Sequence, residues 1–256
     1  IYVALNTILR DGELTDAERM IHRLYDAGAD ALIVQDMGIT RLDIPPIPLH
    51  ASTQMDNCTP EKVAFLARAG FEQVVLAREL TLEEIRRIAD RVTEWVALEA
   101  FVHGALCVSE SGLCLFSSFL GGKSANRGMC TQACRRYYTA EKSGGVSEGY
   151  YFSPCDLELI SKIPDLEEAG VASFKIEGRM KSAEYVGAVV AAYRYVMDHW
   201  REDKKGAIIT AKRMLASDFA RSKSSYWYNF KTQAEGVEKA GEEILNPDQA
   251  GGTGIY

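Results

Sequence analysis

One unit recurs along the first half of the chain: a short apolar strand, then a helix that ends on Ala-Gly. Val3-Ala-Leu-Asn6 reads as the first strand. Thr15-Asp-Ala-Glu18 has the form of a capping box, opening a helix with Met20, Ile21 and Leu24 on one face. That helix closes at Ala27-Gly28, where glycine suits the left-handed position past a helix end. Ala31–Val34 and Pro48–Ser52 read as strands, and Thr59-Pro60 starts another helix, with proline at its favoured first position. Ala69-Gly70 ends it, Val74–Ala77 is a strand, Thr81-Leu-Glu-Glu84 is a second capping box, and Val96–Val102 is the next strand. Further on, a helix is expected from about Leu157 to Ala169-Gly170, then a strand at Ser173–Ile176 and a long helix over roughly 183–200.

Strands alternating with helices predict an α/β fold with a parallel sheet. Their short, nearly continuous apolar runs predict burial on both faces. Two architectures meet that description, a doubly wound sheet and a (β/α)8 TIM-like barrel. No G-x-G-x-x-G follows a strand, which weakens the nucleotide-binding sheet. Six strands are legible, near residues 3, 33, 50, 75, 99 and 175. The expectation is therefore a barrel, incomplete at its N-terminus by two βα units. Residues 1–200 would form this core, with an insertion over about 104–155, and 201–256 a tail or linker. Most strands end in a polar residue: Asn6, Asp36, Ser52 and Gln54, Arg78 and Glu79, His103, Glu177 and Arg179. Barrel chemistry sits at that C-terminal mouth.

The insertion carries the most specific chemistry. Cys107, Cys114, Cys130 and Cys134 fall within 28 residues, spaced C-x6-C, fifteen residues, C-x3-C, among glycine and serine. Thiolates bind soft metals, and nearby glycines let the backbone wrap closely around an inorganic core. An iron–sulfur cluster fits all four thiols. A structural zinc is the alternative, although its usual C-x2–4-C knuckles are only half present. Plain buried thiols are the third reading, and the better one for Cys58 and Cys155 taken singly.

Other classes fit less well. His22, His50, His103 and His199 make no H-E-x-x-H. Cys107 lies four residues from His103, so a cysteine peptidase survives, but it leaves three neighbouring cysteines unexplained. No apolar run reaches the roughly 18 residues that cross a membrane, and no membrane partner is expected. Six cysteines without secretory features lead to the expectation of a reducing cytoplasm. The net charge of −7 disfavours non-specific binding to polyanions. The charge is uneven, however. Residues 104–142 carry five basic against two acidic side chains, and residues 201–231 eight against three. The latter stretch holds Tyr226-Trp-Tyr-Asn-Phe230, aromatics that among cations can stack RNA bases or, alternatively, pack against a further domain. A non-catalytic RNA-binding module would explain that basic stretch but not the polar strand ends.

The run Glu99-Ala-Phe-Val-His-Gly-Ala-Leu-Cys107-Val-Ser-Glu-Ser-Gly-Leu-Cys114-Leu-Phe-Ser117 resembles the signature of peptidase family U32, the collagenase-like family. Asn126–Arg135, Ser173–Ser182, Val75–Leu80 and Gly252–Tyr256 look similar to the same family. The resemblance implies a barrel core and a C-terminal β domain starting near Ile255. It also implies one of two activities. One is a peptidase acting on collagen-like protein. The other is oxygen-independent hydroxylation, of a base in tRNA or rRNA or of a quinone precursor. Hydroxylating members carry a 4Fe–4S cluster on four cysteines, which here would be Cys107, Cys114, Cys130 and Cys134. Some RNA-modifying members depend on prephenate. Some relatives have a cysteine in S-P-K-D-L-C; here Ser153-Pro-Cys-Asp-Leu-Glu158 puts it at Cys155, a possible substitute ligand.

Barrel geometry would gather His50, Arg78, His103, Glu177 and Arg179 around one mouth. Arg78 and Arg179 suit a carboxylate-bearing cosubstrate, because guanidinium binds carboxylate bidentately. His103 or Glu177 would move a proton. A salt bridge between Glu177 and Arg179 bracing the last strand is the structural alternative.

Overall fold

The computed structural model describes residues 1–92, 94–142, 145–178, 181–215, 222–230 and 244–245. Strands and helices alternate through the first hundred residues: β1 Tyr2–Leu5, α1 Leu14–Asp26, β2 Ala31–Val34, β3 Leu49–Ala51, α2 Pro60–Arg68, β4 Gln73–Val75, α3 Leu82–Val92 and β5 Ala97–Gly104. Then come α4 Phe116–Gly121, the strands β6 Tyr138–Lys142, β7 Gly145–Gly149 and β8 Asp156–Glu158, α5 Ile163–Glu168, β9 Ser173–Ile176, α6 Ala183–His199, α7 Lys204–Leu215 and β10 Lys223–Ser224. All six expected strands form.

Local chemistry sets the helix ends. The Thr81 backbone N–H and hydroxyl both donate to the Glu84 carboxylate, and the Glu84 N–H returns a bond to Thr81 Oγ1. Thr59 Oγ1 accepts the Lys62 N–H at the start of α2. α1 differs from expectation. It begins at Leu14, so Thr15 lies inside it, and the Glu13 carboxylate instead accepts the Arg10 N–H ahead of the helix. Ile21 is fully buried, whereas Met20 beside it is half exposed.

The chain divides into two compact units, with part of β5 in each. The first comprises Ile1–Arg78, Arg86–Ala100 and Ser109–Ala133. Its strands pair in sequence order, β1-β2-β3-β4-β5, all parallel, with Leu32 opposite Leu49 and Val75 opposite Glu99. Each strand lies beside its sequence neighbour, without the reversal of order that defines a doubly wound sheet. Leu32, Val34, Ala51, Val74, Val75 and Leu98 are all essentially inaccessible, matching the continuous apolar runs. Removing such a side chain from water contributes about 1.5–3 kcal/mol. Ile21 of α1, Val63 and Leu66 of α2 and Ile88 of α3 are as deeply buried.

The second unit comprises Glu79–Ile85, Phe101–Val108 and residues 134 onward. Here the expectation of a wholly parallel sheet fails. β8 runs antiparallel to the end of β5, with His103 opposite Glu158, while β10 runs parallel to β8 and β9 also pairs with β5. Leu157 and Glu158, read from sequence as the start of a helix, belong to strand β8, and α5 begins only at Ile163. α7 packs on α6, so regular helix continues into the stretch read as a tail. Leu157, Ile160, Ile163, Val189, Val196 and Ala211 form this core. β6 and β7 form a separate antiparallel hairpin.

Candidate functional site

In the first unit, side chains stitch the C-terminal ends of β1–β4 together. Asp36, just past β2, accepts the backbone N–H groups of Leu9 and Gly38, each at 2.7 Å. Ser52 Oγ, past β3, accepts from Asn6 Nδ2 and from the Gln54 N–H. The fully buried Asn57 donates through Nδ2 to the carbonyls of Ser52 and Val75, joining the ends of β3 and β4. His50 is buried on β3, its ring 4.6 Å from that of Tyr2 in an edge-on contact. Gln73 and Glu99, buried on β4 and β5, share a 2.5 Å amide–carboxylate bond.

The thiol-bearing segment 109–133 is fastened to this frame. Ser111 is fully buried, and its hydroxyl oxygen accepts from the Arg78 backbone N–H at 3.1 Å, from Arg78 Nε at 3.2 Å and from Thr53 Oγ1 at 3.3 Å. Gly112, at φ +81°, lies so close to the Gln54 carbonyl that a Cβ would fall 2.0 Å from its oxygen. Asn126 Nδ2 donates to the Gly112 carbonyl at 2.5 Å, and Arg127 pairs with Glu13. Two thiol-bearing turns, at Cys114 and Cys130, are therefore tied to each other and to the strand ends. The Gln132 N–H points at Cys130 Sγ from 3.4 Å.

The second unit holds Cys107, Cys134 and Cys155. Arg135 is buried and donates to Ser153 Oγ at 2.8 Å, the Pro154 carbonyl at 2.5 Å and the Leu106 carbonyl at 2.8 Å, which orders the chain beside all three cysteines. It is thus an internal brace rather than one of the exposed cations its local charge count suggested. Tyr226 Oη donates to the Cys107 carbonyl at 3.1 Å. His103 is fully buried on β5, its Nδ1 3.2 Å from Tyr193 Oη. That phenol donates to the Val102 carbonyl at 2.6 Å and accepts the Leu159 N–H at 3.0 Å. The half-exposed Glu177 follows β9; its N–H donates to the His103 carbonyl at 2.9 Å, and Gly104 leaves room for its backbone. Arg179, and with it the expected salt bridge to Glu177, lies outside the described residues, as does Gly252–Tyr256.

Of the expected site residues, His50 and Arg78 thus belong to the first unit with Cys114 and Cys130. His103 and Glu177 belong to the second with Cys107 and Cys134. The aromatics Tyr226, Trp227, Tyr228 and Phe230 are buried, with Tyr228 Oη donating to the Phe101 carbonyl, so they pack in the core rather than offer faces to bases. Burial raises the Tyr228 phenol far above its ordinary range. Sequence reasoning passed over Ser111, Asn57 and the Gln73–Glu99 pair. Ser111 and Glu99 had a signal, since both lie in the run Glu99–Ser117.

None of the six cysteines is in a disulfide. Cys107, Cys114 and Cys134 are half-buried and Cys130 is exposed, while Cys155 is buried. Among the described residues, no three His, Cys, Asp or Glu side chains stand close enough to hold a metal ion. The donor chemistry nonetheless fits a thiolate-bound inorganic group. The four thiols are outside the core, two of their turns are fixed by other side chains, and a backbone N–H faces one sulfur. Such bonds to sulfur tune iron–sulfur sites.

A sequence profile of peptidase family U32 matches residues 1–238. A 23S rRNA 5-hydroxycytidine synthase of Escherichia coli is 52% identical over 207 residues, which are 80% of this chain and 31% of that protein. The tRNA hydroxylation protein P1 of Bacillus subtilis is 36% identical, over 82% of this chain and 52% of its own. A collagenase of Porphyromonas gingivalis is 34% identical, over 77% of this chain and 51% of its own. The chain thus spans 31% to 52% of the length of these relatives. It belongs to peptidase family U32.

Proposed function

We propose that this U32 chain is part of an enzyme that hydroxylates a base of rRNA or tRNA. The observation that carries the reading is the 52% identity with the rRNA 5-hydroxycytidine synthase across 80% of this chain. The collagenase relatives favour a peptidase only by name, since no H-E-x-x-H is present and Gly145-Val-Ser-Glu-Gly149, a G-x-S-x-G by letter, lies along strand β7 of a hairpin rather than on the strand-to-helix turn of a nucleophile elbow.

The sequential parallel order of β1–β5 supports a (β/α)8 barrel. Cys107, Cys114, Cys130 and Cys134 would hold a 4Fe–4S cluster, with zinc as the alternative occupant. When bound, such a cluster supplies one-electron redox chemistry. Cys155, being buried, is a core thiol in this reading rather than a substitute ligand. Arg78 would orient a carboxylate-bearing cosubstrate such as prephenate, and its bonds to Ser111 fix the guanidinium plane at the strand end. Glu177 would move the proton, with His103 supporting its backbone. Among the described residues no helix is long and apolar enough to cross a membrane. A cytoplasmic site of action accords with an RNA substrate and reduced thiols.

The test is mass spectrometry of nucleosides from rRNA and tRNA of a strain lacking the gene. One pyrimidine should lose an oxygen atom and regain it on complementation. Unchanged RNA in both pools, with collagen-like peptides cleaved by the purified protein, would transfer the assignment to the peptidase reading.

A further inference from the structure

A recess of about 320 Å³ opens at the end of β10, in the second unit, lined by Lys223, Ser224, Ser225, Tyr226 and Asn229. Its lining is built from hydrogen-bond donors. Ser224 Oγ accepts the Tyr226 N–H at 3.2 Å, and Ser225 Oγ accepts from Asn229 Nδ2. A hydroxyl that accepts from the chain still has its own O–H to donate. Lys223 adds an ammonium, 3.6 Å from the Glu158 carboxylate, with both side chains about a quarter exposed or less (24% and 19%). Glu158 offsets part of that charge, so the neutral donors carry much of any recognition. Tyr226 holds φ +50°, a conformation that a bulky residue adopts at a cost. It is kept there by its N–H on Ser224 and its Oη on the Cys107 carbonyl. The strain turns the backbone so that residues 223–226 and 229 share one concave surface.

Hydroxyl, amide and ammonium donors around a small hollow are the groups that position nucleic-acid phosphates. The charge of the surrounding sequence agrees, with eight basic against three acidic residues over 201–231. Resting on the reading that this enzyme acts on RNA, we propose that the recess is a phosphodiester-binding subsite for the RNA strand. Through Tyr226 it abuts the backbone of Cys107. The aromatics of this run are then its scaffold, and Lys223, Ser224, Ser225 and Asn229 its contacts.

The experiment measures binding of a short single-stranded RNA to the full chain by fluorescence anisotropy across a range of salt. Lys223→Gln should weaken binding several-fold and lower the salt slope by about 0.7, the share of one phosphate on a single strand. Lys223→Arg should keep the slope, and Ser225→Ala should weaken binding without changing it. An equal affinity and slope in Lys223→Gln overturns the subsite. A parallel titration with inorganic phosphate, read by thermal shift, separates the sources of the anion. If phosphate stabilises the parent but not Lys223→Gln while RNA binds both alike, the recess is a small-anion site and the proposal fails. If hydroxylated RNA is lost with the gene yet Lys223→Gln binds normally, only the subsite falls. If neither modification nor RNA binding is seen, the parent reading falls with it.

Discussion

The Arg127 guanidinium donates to both carboxylate oxygens of Glu13, at 2.6 and 3.2 Å, and to the Ile8 carbonyl at 2.6 Å. The pair joins the turn ahead of Cys130 to the residue that precedes α1, far away in sequence. A planar fork engaging a carboxylate and a carbonyl together fixes direction as well as distance, which a lysine would not.

The pair leaves a mark on acid stability. The Arg127 hydrogen bond, followed by that from the Arg10 N–H, holds the Glu13 carboxyl below its ordinary 4.5. Between the depressed folded value and 4.5 the unfolded chain binds more protons, so stability rises with pH there. The contribution is present above that window and is lost as pH falls through the folded value. Denaturant midpoints followed from neutral into acid should fall less steeply for Glu13→Gln, and for Arg127→Ala, than for the parent. Superimposable acid limbs would show that the pair contributes nothing there.

Gly112→Ala should be costly. A Cβ would meet the Gln54 carbonyl at 2.0 Å, and φ +81° is itself strained for alanine. The expected loss is about 1–3 kcal/mol for the backbone conformation, with more for the clash. Faster alkylation of Cys114 should accompany it, because the turn lifts off its seat. Gly121→Ala, where nothing lies within 4 Å and φ is not positive, is the control and should leave the denaturation midpoint unmoved.

Iron content separates the cysteines. Purified without oxygen, the parent should bind about four irons per chain. Cys107→Ser, Cys114→Ser, Cys130→Ser and Cys134→Ser should each lose most of this, while Cys155→Ala keeps it. A colourless protein holding one zinc, or iron lost from Cys155→Ala alone, would redraw the ligand set.

Tyr193→Phe removes one oxygen that serves three partners. The Leu159 N–H and the Val102 carbonyl would keep only the 3.0 Å bond they make to each other, and His103 Nδ1 would lose the phenol. The expected cost is about 1 kcal/mol for each hydrogen bond lost. A loss below this in chemical denaturation would mean that water or repacking replaces the phenol.

The first half of the fold was legible because its signals are local. Apolar runs and the Thr81–Glu84 box depend on residues a few positions apart, and those elements formed where expected. β8 was not legible. Three residues, two of them acidic, give no period to read, and only pairing with β5 and β10 makes them a strand. Thr15 misled because Glu13, held by Arg127 from a distant segment, starts the helix earlier. For the site, residue types were readable from cysteine spacing and strand ends. Which hydroxyl or amide fastens the cysteine turns depends on contacts such as Ser111 with Arg78, which no periodicity encodes. The Tyr226–Phe230 run left base stacking and packing both open, and burial of Tyr226, Trp227, Tyr228 and Phe230 decides for packing.

Asn57 gives the strand ends a chemical lifetime. Its Nδ2 donates to two carbonyls, of Ser52 and Val75, from one side chain. Spontaneous deamidation would put a carboxylate oxygen in its place, turning two attractions into two repulsions within a fully buried position. Ageing of the purified protein should therefore register at this joint as separation of the β3 and β4 ends, well before the helices around them change.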